Sequence, residues 1–374
     1  MKSATARLYE LDAAKFIAML LMMTGHVLSA LVTPVELDIT RTPWSVWHWF
    51  RGITAPVFLT ISGLLFALTL RRTDRGTVEP PIVRRRALRA LQLMGIGYLL
   101  VFPARRIYEL AFVDDSVWHT FVQVNILQLI AISLLMLSVC AYVCRTHRSF
   151  SRAMMVLTAG TALLTPVVHG IAWYDHIPAV LAAYLSYDGG SLFPIFPFAA
   201  YMFAGAGLGT LLAEYNVENR RALRSAALFI GAGLIGLGVA GAVLFPSADI
   251  YRFSPFGVAI RQGTALLFIV AVSALLPLLR PIQSLLVLFG KQALVVYVLH
   301  LILLYGTPWT DSIARWYPNT LSLNQGLAMA AVIIALTLGS IVAYDRVRVY
   351  LTSPTALRLV RIGVGVLLGW MLLA

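Results

Sequence analysis

The 374-residue chain is 60% hydrophobic and only 12% charged, with a mean hydropathy of +0.83. That excludes an ordinary soluble domain, in which about a quarter of the residues are charged. The 29 Lys and Arg against 16 Asp and Glu leave a formal charge of +13, a balance that would suggest nucleic acid, except that a membrane protein sorts its cations by side of the bilayer.

Eleven stretches of roughly 20 mostly apolar residues follow one another along the chain. They lie at 13–33, 53–70, 87–103, 120–144, 152–170, 194–213, 223–244, 258–278, 285–305, 325–344 and 357–374. Lipid offers no partner to an unpaired backbone group, and the runs lack the alternation of a barrel, so each is expected to be a helix. The expected fold is all-α: a polytopic integral membrane protein of about 11 transmembrane helices, with short connections, no visible repeat and a single domain over 1–374. With the N-terminus cytoplasmic and the side reversed at each span, 19 of the 29 cations fall inside, 6 outside and 4 within spans. This bias supports the orientation and removes nucleic acid as an expected partner. The first run holds Asp12, Lys15 and His26 and has no small-residue cleavage site, which makes it a retained helix rather than a signal peptide. The chain has no Asn-x-Ser/Thr sequon, which favours a bacterial inner membrane.

Ionisable groups inside spans are costly and are therefore candidate functional groups. In LDAAKFIAMLLMMTGH, Lys15 and His26 are eleven residues apart, which on a helix leaves them about 20° apart on one face and about 16 Å apart along the axis. Asp12 shares the stripe and can pair with Lys15 at i, i+3. The alternative is structural: a snorkelling Lys15 tied to Asp12, and a His26 satisfied by a neighbouring helix. Six of the seven histidines fall toward the outer half or the outer loops, where an imidazole with an unperturbed pKa of about 6.5 can act as a general base.

The first outer loop contains Trp44, Trp47, His48 and Trp49. These form either an aromatic belt at the membrane surface or a stacking platform for a sugar or lipid headgroup, with His48 as a second candidate base. Cys140 and Cys144, one helical turn apart, are expected to be packed thiols. PVFLTISG (56–63) and FPIFPFAAYMFAGAGLG (193–209) mark places where helices either break around a cavity or pack closely, close packing being the commoner cause. No metal is expected, the nearest approach to a ligand set being His169, Asp175 and His176. In LFGKQALVVYVLH, Lys291 and His300 would lie about 180° apart on one continuous helix, and so on different faces.

The LDAAKFIAMLLMMTGH stretch resembles the first helix of the transmembrane acyltransferase superfamily, which includes the acyltransferase-3 proteins and the heparan-alpha-glucosaminide N-acetyltransferase-like proteins. In acyltransferase-3 members an Arg, ten residues and a His occupy this helix. Here Lys15 stands in the Arg position, without the planar fork that grips phosphate. The segments at 55–68, 125–135, 193–209 and 290–300 are most similar to the glucosaminide branch.

The resemblance implies acyl transfer across the membrane, from cytoplasmic acetyl-CoA or another acyl-CoA to a sugar, glycan or lipid-linked acceptor outside. It implies His26 as general base, His48 as the alternative base of the glucosaminide branch, and Lys15 as the cation for the phosphates of the donor. Expected partners are membrane lipids, the acyl-CoA, the acceptor, and a second copy or another membrane subunit. The competing readings are a small-molecule transporter and a non-catalytic subunit of a membrane complex built on the same scaffold.

Overall fold

The computed structural model describes residues 8–73, 76–214, 220–246 and 249–350, with Arg358, Ile362 and Gly363. Every regular element among them is helical. In chain order the main helices are α1 (Tyr9–Leu31), α2 (Trp44–Gly52), α3 (Thr54–Leu68), α4 (Pro80–Leu100), α5 (Ile126–Val143) and α6 (His147–His169). They continue with α7 (Ile195–Glu214), α8 (Arg220–Leu244), α9 (Pro255–Leu275), α10 (Gln283–Lys291), α11 (Ala293–Tyr305) and α12 (Leu323–Tyr350).

Among the described residues eight stretches are long and apolar enough to cross a membrane, with α2 and α3 together forming one of them, Trp44–Leu68. A ninth arises if the bent pair α10–α11 counts as one span. Two of the eleven expected stretches differ for physical reasons. In the stretch at 87–103, α4 forms, but Arg84, Arg85, Arg86 and Arg89 occupy its first half and leave only Ala90–Leu100 uninterrupted. The stretch at 285–305 is two helices, bent by 76° around Gln292, whose φ of −98° and ψ of 20° leave the helical region. The stretch at 357–374 lies outside the described residues, apart from Arg358, Ile362 and Gly363.

The helices fall into two compact units, residues 1–51, 100–121 and 278–374 in one, and 52–99 and 122–277 in the other. In the second unit α3 lies against α7 at backbone distance. A Cβ added to Gly63 would sit 1.9 Å from the Met202 carbonyl oxygen, and one added to Gly205 would sit 2.0 Å from that of Thr60. Only glycine permits this approach, so close packing accounts for the small residues of both glycine-bearing segments. Within α7 the non-helical backbone of FPIFPF is confined to Phe196, at the start of the helix.

In the first unit α1 is held along its whole length. Phe16 stacks on Phe289 of α10 at 5.2 Å. At the other end Val27, Leu31, Leu304, Ala330 and Ile333 form a buried core between α1, α11 and α12. The last carbonyls of α1, which a helix leaves unsatisfied, accept from the segment before α12: Asn319 N–H donates to Ala30 at 3.1 Å and Leu321 N–H to Leu31 at 2.8 Å. His26 is therefore fixed on a rigid, capped end of α1.

Candidate active site

The first unit brings two histidines together from helices 274 residues apart. His26 Nδ1 lies 3.1 Å from His300 Nε2, with the rings near parallel at 16° and their centroids 5.3 Å apart. His300 is fully buried, and its Nδ1 lies 3.0 Å from the Val296 carbonyl oxygen, one turn back on α11. A carbonyl can only accept, so His300 Nδ1 carries a proton. With both rings neutral, His300 Nε2 then has a lone pair and must accept from His26 Nδ1–H. The proton inventory ends at His26 Nε2, which keeps a lone pair. A backbone carbonyl thus sets both tautomers and makes His26 Nε2 the basic atom. If Nε2 takes a proton, the imidazolium still donates to His300, which stabilises the new charge.

Aromatic rings enclose the pair. Tyr305 stands edge-on to His26 at 6.1 Å and Tyr297 edge-on to His300 at 5.4 Å. Arg51, at the end of α2, donates to Ser29 Oγ of α1, one turn from His26. Its stem lies over Gly25, where an added Cβ would be 2.8 Å from Arg51 Cδ. The guanidinium also sits over Trp47, 5.9 Å from the ring centroid, so this tryptophan serves Arg51 as well as any surface role.

The candidates from sequence separate as follows. His26 and Lys15 share the continuous helix α1, where Lys15 is half-buried and His26 faces α11. Asp12 is buried beside Gly290, within 2.9 Å of the position of a Cβ there. Both Asp12 and Lys15 have interaction partners. His48 is exposed on α2, and the partner that the structure gives to His26 Nδ1 is His300. His169 is engaged elsewhere, at 2.8 Å from the Phe196 carbonyl, and no group of three metal-ligating side chains is assembled among the described residues.

Sequence reasoning missed His300, Arg51, Tyr297 and Tyr305 as members of the site. The placement of His300 rested on a continuous helix from Lys291, and the bend at Gln292 removes that premise. The histidine alternative was met only in part: a neighbouring helix does satisfy one nitrogen of His26, but with a second imidazole that leaves the other basic.

Apolar helices of spanning length define a polytopic integral membrane protein, and one of its units holds a buried histidine pair. Residues 8–345 match a family model described as an acyltransferase domain, that of the acyltransferase-3 proteins. The chain belongs to this family and is a membrane acyltransferase, which implies an acyl donor. No curated protein matches the chain. The match is to acyltransferase-3, and it lends no separate support to the glucosaminide branch.

Proposed function

We propose that the protein moves an acyl group, in the simplest case acetyl, from a cytoplasmic acyl-CoA to a hydroxyl or amine of a sugar, glycan or lipid-linked acceptor on the outer side of a bacterial inner membrane. The observation that carries this reading is the fixed tautomer of His26, with Nδ1 held by His300 at 3.1 Å and Nε2 left basic. The acceptor gives its proton to His26 Nε2 as its oxygen or nitrogen attacks the thioester carbonyl. The tetrahedral adduct then expels the thiolate, which recovers that proton from His26, leaving an ester or amide and the free thiol. Lys15 supplies charge for the donor's phosphates, about 16 Å along α1 from His26, so an extended donor would lie along this helix with its thioester at the histidine pair. The acyl-CoA donor and the cytoplasmic N-terminus rest on the family likeness and on the sorting of cations in the sequence.

Purified protein mixed with labelled acetyl-CoA tests the reading. Turnover of the thioester should be lost in His26→Ala and kept in His48→Ala, while Lys15→Ala should raise the donor KM with a smaller change in kcat. A parent chain that neither binds nor turns over acetyl-CoA refutes the donor. Loss confined to His48→Ala moves the base to α2 and revives the glucosaminide reading.

A further inference from the structure

The second compact unit contains a cation that none of the histidine chemistry uses. Arg261 lies on the membrane-spanning helix α9, six residues after its first residue, Pro255, and is half-buried. Its guanidinium carbon is 4.6 Å from the centroid of the Tyr251 ring, and its Nη2 is 3.4 Å from the position of a Cβ on Gly52. Among the described residues no carboxylate pairs with it: the nearby Asp249 is spent on Arg252 at 3.9 Å and on the amides of Tyr251 and Arg252 at 3.0 and 3.1 Å. An intramembrane guanidinium without a counter-charge is costly unless something else supplies the negative charge.

Two buried tyrosine hydroxyls lie near this cation. Tyr201 of α7 is fully buried, and its hydroxyl faces the Arg261 guanidinium, which can only donate, so the phenol proton has no acceptor. The Tyr187 hydroxyl is likewise buried and without a partner, and the ring of Tyr187 lies beneath Arg252, 4.8 Å from its guanidinium carbon. Burial raises the Tyr187 hydroxyl above the ordinary phenol range; Tyr201 adds to this, and Arg252 and Arg261 oppose it. The hydroxyl therefore remains a neutral donor. Packing explains buried tyrosine rings. It does not explain two buried phenol protons without an acceptor beside a cation without a carboxylate.

We propose that Arg261, Tyr201 and Tyr187 form a binding site for a phosphate ester. The guanidinium fork takes two oxygens, as it would from a carboxylate, and the two phenol donors call for the further oxygens that a phosphate has and a carboxylate lacks. The ester group belongs either to a lipid or to a soluble molecule, since the same oxyanion serves both. The site does not depend on the His26 chemistry.

The test uses the full-length protein in a neutral detergent, with unfolding temperature followed while glycerol 3-phosphate or a short-chain phosphatidic acid is titrated; diacylglycerol serves as the phosphate-free control. The parent should show a saturable rise with at least one phosphate ester and none with diacylglycerol. Arg261→Gln should weaken that affinity about tenfold or more, as expected for a charge-assisted contact, and Tyr201→Phe should weaken it without loss of the ring. His26→Ala should retain the rise, which separates failure here from failure of the acyl-transfer reading. A response to glycerol 3-phosphate assigns a soluble ester, and a response to the lipid alone assigns a headgroup. An absent response in the parent, or an unchanged affinity in Arg261→Gln, overturns the site. If Arg261→Gln does not fold, an unchanged affinity in Tyr201→Phe overturns it.

Discussion

At the scale of single residues, the informative feature is a proton inventory. His26 is basic at Nε2 because a carbonyl one turn behind His300 dictates where two protons sit. Removing His300 should therefore leave the base in place but free its ring and its tautomer. His300→Ala is expected to lower kcat for acyl transfer by roughly 10²-fold, the lower end of what general-base catalysis contributes, with little change in KM. Half of this site was legible in the sequence. Lys15 and His26 share one helix, and helical arithmetic alone puts them on one stripe. Their partners were not legible, since His300 and Arg51 reach α1 through a bend and a loop that periodicity does not encode.

At the scale of elements, the glycines of α3 and α7 carry a measurable prediction. A methyl at Gly205 would meet the Thr60 backbone at 2.0 Å, whereas one at Gly233 of α8 meets nothing within 4 Å. Gly205→Ala is thus expected to cost ~1–3 kcal/mol, the usual penalty for overpacking, and to lower the unfolding temperature. Gly233→Ala should be neutral or slightly stabilising, since alanine is the better helix former. Equal effects in a thermal-melt comparison would contradict the packing account. The sequence showed where small residues concentrate, but only the paired helices show which of them touch backbone. The bend at Gln292 was similarly hidden: LFGKQALVVYVLH has no proline and reads as one apolar run, yet the chain leaves helical geometry at a glutamine.

At the scale of the whole molecule, the sorting of the cations behind the +13 charge makes a prediction about topology. With Cys140 and Cys144 replaced by serine, a cysteine introduced at Thr77 should react with a membrane-impermeant thiol reagent only after the membrane is opened, and one introduced at Asp38 should react from outside. The opposite pattern would invert the proposed path from donor to acceptor. Spans built from uninterrupted apolar residues were readable directly, while α4 shows the limit: its arginines place a helix correctly but blur where an apolar crossing would begin.

The central claim is that His26 takes the acceptor's proton during acyl transfer. Its most direct test is single-turnover transfer from labelled acetyl-CoA in proteoliposomes, comparing the parent with a folded His26→Ala variant. Donor binding should survive the substitution while transfer falls by at least about 10²-fold. Transfer at the parental rate in His26→Ala would contradict it.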